Sequence, residues 1–308
     1  MSALAKDFAL VSRYIRSLHG RSQPILVQAN DGLLYVVKST NNLQGPNLLF
    51  NESVGTELYR SCGLPTPEWK PLLITRGFIY QYSSCLVEVP AEFEIPEVSL
   101  CFGSRFLGTE HTRLLEILPG TFFHRVRNRI DFWAAWLLDI CADHADHRQT
   151  IFTEGPGERL QAHFIDHGHL FGGPNGDLQT DPLKSKYLDD RAYPDIDTEH
   201  IERVVKRLQR LDVDRIWQLV RALPMEWPSE SALRGFQRTL NRLADRSFLQ
   251  RTADTILDPD TRRPSSAQNR WGPVAIGTAS VVGLPHLSSI HNQRFTVGLG
   301  LDGAQSGF

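Results

Sequence analysis

"DHADHRQTIFTEGPGERLQAHFIDHGHLF", residues 143–171, crowds three Asp and five His into two clumps, each beside a short apolar run. The runs "QTIFT" and "QAHFI" flank "EGPGER", whose Gly-Pro-Gly marks a tight turn, so the stretch predicts a β-hairpin. A hairpin returns the chain to where it began, and the two ends of this one carry Asp146 and Asp166, 20 residues apart. Such density suits the cage of a metal hydrolase, the two acidic corners of a phosphotransferase, or a polar rim without chemistry. The surrounding chain has to choose among them.

Upstream, Leu4, Phe8, Val11, Tyr14, Ile15 and Leu18 recur at helical spacing and predict an amphipathic opening helix. Two β-prone runs, Pro24 to Gln28 and Leu33 to Val37, flank the hairpin signal Asn30-Asp31-Gly32. "NLLFNESVGTELYRSCG" reads as a helix ending at Gly63, and "WKPLLIT" and "GFIYQYSSCLVEV" read as two further strands. Downstream, "RIDFWAAWLLDICADH" opens a mainly helical region. There "DTEHIERVVKRLQRLDVDRIWQLVRAL" and "SESALRGFQRTLNRLADRSFL" are amphipathic, with Thr and Ser as their caps. The expected fold is α+β and bilobal, of protein-kinase-like layout. A small antiparallel β lobe with one helix spans residues 1–105, and a mainly helical lobe spans 106–256. Residues 257–308 are rich in Gly, Ser and Pro and are expected to be a poorly ordered tail.

That layout narrows the chemistry. The chain has no GxxxxGK[ST] and no GxGxxG, so a P-loop is excluded, and phosphate cradling falls to "STNNLQGPN" around Gly45. Lys38 ends the β run "LLYVVK", where phosphoryl transfer needs a cation on the nucleotide phosphates. Glu52, 14 residues later at the start of the next helix, is the expected partner. Glu57 is five residues further, about 500° of helical rotation, and falls on another face. Asp146 is placed to orient or deprotonate an attacking hydroxyl, while Asp166 holds Mg²⁺ and Gly168 allows a tight turn after it. The rival reading gives His144, His147, His163, His167 and His169 to transition metals, but no helical HxxxH anchors the set.

The bulk composition sets limits on all of this. Among 308 residues, 41% are hydrophobic and 22% charged, as in soluble globular proteins. A net charge of −2 argues against direct nucleic-acid contact. Cys62, Cys85, Cys101 and Cys141 form no CxxC pair and read as reduced thiols. The charged N-terminus is not a signal peptide, and no run reaches the roughly 18 apolar residues of a membrane span. A cytoplasmic protein is expected.

In five stretches the chain resembles a known family. "DGLLYVVKSTNNLQGPNLLFNE", "CGLPTPEW", "CFGSRFLG", "DFWAAWLLDICADHADHRQTIF" and "FIDHGHLFGG" are similar to the HipA-like kinases, in the branch of stand-alone bacterial proteins, over about residues 20–190. The first and the last two of these are the informative ones. The resemblance implies a bilobal kinase domain that binds ATP and Mg²⁺ and phosphorylates Ser/Thr of a protein substrate. It puts Lys38 and Glu52 at the nucleotide, Asp146 with Arg148 at the catalytic position, and Asp166 with Gln149 at the metal. Two departures accompany it. The family's Asn-x-Asp is His144-Ala145-Asp146 here, and its following Asn is replaced by Gln149, longer by one methylene. Those departures motivate the alternative of an inactive pseudokinase that binds nucleotide or a partner. The metal hydrolase is the second alternative. "RVVKRLQR" and "RTLNRLADR" carry basic faces that read as solvated surface.

Overall fold

Tertiary pairing overrides the helical spacing of the first segment. In the computed structural model, which describes residues 8–40, 42–82, 96–108, 114–176 and 181–258, Ala9–Ser17 is a strand, β1, not a helix. Its register against β2 (Ile25–Ala29) shifts between Val11 and Arg13 and again between Tyr14 and Arg16. Each irregularity offsets the two-residue period, so the apolar positions fall at intervals that imitate a helix turn.

β2 and β3 (Leu34–Lys38) form the hairpin expected at Asn30-Asp31-Gly32, with Gly32 at φ 77°. Asp31 accepts from the Leu33 N–H and the Tyr35 hydroxyl, which closes the turn. β4 (Trp69–Thr75) and β5 (Val98–Arg105) pair antiparallel along their length, and β5 continues onto β3. β4 also meets β1 in parallel, which closes a five-stranded barrel in the order β1-β2-β3-β5-β4. The lobe is therefore a barrel with one parallel junction rather than a purely antiparallel sheet. "GFIYQY", read as a strand, is instead helix α2 (Arg76–Gln81). Thr75 caps it by accepting from the Phe78 N–H at 3.2 Å, and Phe78 joins the barrel core. Residues 83–89 of that predicted strand, Cys85 among them, lie outside the described residues.

Helix α1 (Leu48–Ser61) crosses between the barrel and the helical region, and it is buried on nearly every side. An apolar helix would be expected in such a place, yet Asn51, Glu52, Ser53 and Thr56 are all buried on α1. Ser53 and Thr56 satisfy their hydroxyls on the carbonyls four residues back, those of Leu49 and Glu52. Asn51 and Glu52 reach outward to another segment.

The helical region is built on α3 (Ile130–Cys141), whose Phe132, Trp133, Leu137 and Leu138 sit in the main core. β7 (Gln149–Glu154) and β8 (Leu160–Ile165) form the predicted hairpin, and β6 (Leu114–Leu115) adds a third strand beside β7. The long amphipathic stretch beyond residue 197 is two helices, α4 (Thr198–Leu208) and α5 (Val213–Ala222). Asp197, not a Thr, caps α4, and Asp212 caps α5. α6 (Glu230–Ala244) starts from its Ser229 cap, and α7 (Arg246–Leu257) starts from Asp245. Residues 259–308, nearly all of the predicted tail, lie outside the described residues. Among the described residues no helix is long and apolar enough to cross a membrane.

Candidate active site

A cleft of about 1250 Å³ opens between the barrel and the β7–β8 hairpin, lined among others by Lys38, Glu52, Asp146, Gln149 and Asp166. The hairpin register explains why residues so far apart in sequence meet there. Gln149 lies opposite Ile165, so Asp166 follows directly from the strand end beside Gln149, and Asp146 precedes it by three residues. Asp166 sits at φ 59°, a left-handed conformation that Asp tolerates better than most residues and that turns the chain out of β8.

Lys38 carries the charge centre. The residue is 7% exposed, and its ammonium donates to Glu52 Oε1 and to Asp166 Oδ1, the latter at 2.7 Å. Burial pulls the Lys38 pKa down, but Asp166 and then Glu52 outweigh it and hold the ammonium well above its ordinary value. Burial likewise pushes Asp166 up, and Lys38 overrides that and keeps it well below the usual carboxylate range. Burial raises Glu52 against the pull of Lys38. Its Oε1 also accepts from the Gly168 N–H at 2.9 Å and its Oε2 from the His167 N–H at 3.2 Å, the setting of an ionised carboxylate. Glu57 points elsewhere and accepts from the Trp69 indole.

Asp146 is half-buried, and its Oδ1 accepts from the His147 N–H at 2.7 Å. Gln149 is exposed at the start of β7. Arg148, by contrast, is turned inward. It is 3% exposed, forms a two-pronged ion pair with Asp139 of α3, and donates to the Ile165 carbonyl at 2.8 Å and the Asp166 carbonyl at 3.3 Å. Tyr59 donates to the same Asp139 at 2.6 Å, and its ring lies under the Arg148 guanidinium. Its guanidinium is thus engaged by Asp139 and by the end of β8 at the inner wall of the cleft. Gly45, at φ 148°, is pressed against the backbone of Pro174, where a Cβ would come within 2.6 Å of the carbonyl oxygen. Neighbouring Gln44 faces the cleft instead, as do His19, Gly20, Arg21 and Ser22 of the β1–β2 turn. Ser104 and Arg105 also line it, and Arg105 pairs with Glu68 at the surface.

Several of these participants were not identified from sequence. The β1–β2 turn follows a segment whose spacing predicts a helix, so the sequence carries no hairpin signal there. Asp139 did leave a trace: a lone acid inside the apolar run "FWAAWLLDIC" requires a buried partner.

The histidines do not converge. His163 meets Thr153, His169 meets Gln44, and His167 meets Arg148. Among the described residues no three His, Cys, Asp or Glu side chains share a space that could hold a metal. His144 is 2% exposed, and neither ring nitrogen finds a partner among the described residues. Burial, with Arg148 next, pushes its pKa down to about 4, and burial drives His167 well below its ordinary value. Between about pH 6.5 and 4 the unfolded chain binds a proton that folded His144 refuses, so stability falls as the solution is acidified. His144 accounts for about 3 kcal/mol of that loss. Urea midpoints at pH 7.5 and 5 should differ more for the wild type than for His144→Leu; equal differences would refute this. The raised Glu52 works in the opposite direction in both proteins and cancels in the comparison.

No family model matches the chain, and no curated protein is similar to it in sequence. Solved structures are similar in fold. The Helicobacter pylori proinflammatory kinase CtkA superposes with a TM-score of 0.50 at 13% identity, covering 79% of this chain and 96% of that one. The Golgi casein kinase superposes at 0.52 with 10% identity, covering 82% of this chain and 73% of that one. A structure of it with Mn/ADP bound gives 0.50 at 10% identity, covering 80% and 73%. The fold is kinase-like.

Proposed function

We propose that the chain is an ATP- and Mg²⁺-dependent kinase of HipA-like type that transfers the γ-phosphate of ATP to a Ser/Thr hydroxyl of a protein. The observation that carries this reading is the buried Lys38–Glu52–Asp166 triad, which joins barrel, helix and hairpin at one cleft. Phosphoryl transfer relies on positioning and on cations that stabilise developing charge, and this triad supplies both in a kinase-like fold. In this reading the domain runs as a nucleotide lobe over residues 1–105 and a catalytic lobe over 106–256.

The donor set suits magnesium. Asp166 offers a carboxylate oxygen and Gln149 an amide oxygen, both hard ligands, and Mg²⁺ takes only one or two carboxylates alongside substrate phosphates. Asp166 and Gln149 would hold the metal, which would supply positive charge to offset that of the phosphates. Lys38, oriented by Glu52, holds the nucleotide phosphates, and Asp146 accepts a hydrogen bond from the acceptor hydroxyl and takes its proton. Arg148 anchors the carbonyls at the end of β8 and so sets where Asp166 projects.

Thermal unfolding with ATP and Mg²⁺ tests the binding half of the proposal. At 100 times Kd the ligand adds about 2.7 kcal/mol of stability, a Tm rise of roughly 5–10 °C. Lys38→Met, compared with its own ligand-free form, should lose most of that rise. A wild type that ignores ATP but is stabilised by zinc would overturn the kinase reading in favour of a metal hydrolase.

A further inference from the structure

We infer that Asn51 is a positioning residue of this site, and that it locks α1 to the metal-side loop so that the active constellation stands assembled in the free protein. The inference rests on the kinase reading for its catalytic meaning, but not for its geometry.

Asn51 is completely buried, one residue before Glu52 on α1. Its Nδ2 lies 2.9, 2.8 and 3.1 Å from the carbonyl oxygens of Gly168, Leu170 and Gly173. Glu52 takes the complementary groups of the same loop, the N–H of His167 and of Gly168. Two consecutive side chains thus satisfy five backbone groups between residues 167 and 173. That segment cannot pair them in a regular ladder, because Asp166, Phe171, Gly172 and Gly173 all adopt positive φ, between 59° and 92°.

An amide NH₂ has two protons for those three acceptors, and Asn51 Oδ1 finds no partner among the described residues. An unpaired buried acceptor is unfavourable, and a leucine of similar size would avoid it. Packing alone does not call for Asn there; the loop carbonyls do. The two backbones also abut. A Cβ on Gly55 would lie 2.6 Å from His167 Cβ, and one on Gly168 would lie 2.4 Å from Leu48 Cδ1. A kinase whose Lys–Glu pair is made and broken by its helix needs that helix free to move. Here such a movement would strip five hydrogen bonds from the loop that carries Asp166.

Hydrogen exchange on the ligand-free full chain tests the inference. In the wild type the amides of residues 167–173 should be protected without nucleotide. In Asn51→Leu they should exchange at least about tenfold faster, the equivalent of one lost hydrogen bond. Val54→Ala, a fully buried change on the same helix, is the control for general destabilisation, and it should show no such selectivity for the loop. If Asn51→Leu does not fold, Asn51→Ser is read in the same way. The Mg²⁺ concentration for half-maximal phosphotransfer should rise about 10–100-fold in the Asn51 variant, with kcat recovered at saturation, and should not move in Val54→Ala. Fast loop exchange in the free wild type, or identical loop exchange in the two variants, would overturn the inference. A wild type that protects the loop but transfers no phosphate would support the lock and sink the kinase reading, so the two failures are distinguishable.

Discussion

Asp146→Asn should lower phosphate incorporation from labelled ATP by about 10²–10⁴-fold, the range for losing a positioned general base. The substitution keeps the size of the side chain. Its remaining oxygen can still accept from the His147 N–H, so the local turn should survive. Lys38, Glu52 and Asp166 make their contacts without Asp146, and the stabilisation by ATP and Mg²⁺ should therefore persist within error. Loss of turnover with binding intact is the signature of a group that acts on the acceptor hydroxyl. A variant that keeps activity within threefold of the wild type would remove Asp146 from the chemistry. A wild type that binds nucleotide and transfers nothing to any protein would favour the pseudokinase, and His144 and Gln149 are where its defect would be sought.

The largest effect on stability should come from Arg148→Ala, at about 3–5 kcal/mol of unfolding free energy. The Arg148 and Asp139 side chains are 1% and 0% exposed, so losing either one strands the other's charge away from water. Tyr59 alone could not compensate Asp139, since one neutral hydroxyl does not balance a buried carboxylate. Such a loss is a large fraction of a domain's usual 5–15 kcal/mol and should show as a clear fall in the urea midpoint. The double variant Asp139→Leu/Arg148→Met separates stability from function. Replacing both charges by apolar groups should restore most of the midpoint, because the desolvation of two ions is no longer required. It should not restore activity, because the carbonyls of Ile165 and Asp166 lose their donor. A double variant that is stable and fully active would show that Arg148 serves packing alone.

Much of the local structure is legible in particular residues. Asn30-Asp31-Gly32 fixes its turn, since Gly32 takes the positive φ and Asp31 closes the loop with its own side chain. "EGPGER" does the same for β7 and β8, and the period of two along those strands sets which ends meet. The 14-residue spacing from Lys38 to Glu52 is similarly readable, because it joins the end of a strand to the N-terminal half of the next helix. β1 and α2 were not readable in this way. Bulges disguised the strand, and the Thr75 cap turned an aromatic run with strand propensity into a helix.

From sequence alone came the β2–β3 and β7–β8 hairpins, the helices α1 and α3, and the kinds of side chain brought to the ends of the second hairpin. These follow from short-range rules: turn chemistry, strand period and helix rotation act within a few residues of one another. The tertiary structure alone decided that the barrel closes through a parallel pair, that Arg148 faces the core while Gln149 faces the cleft, and that Asn51 and Glu52 hold a loop more than a hundred residues away. Those outcomes depend on which buried polar groups find partners once distant segments meet, and no local pattern records that.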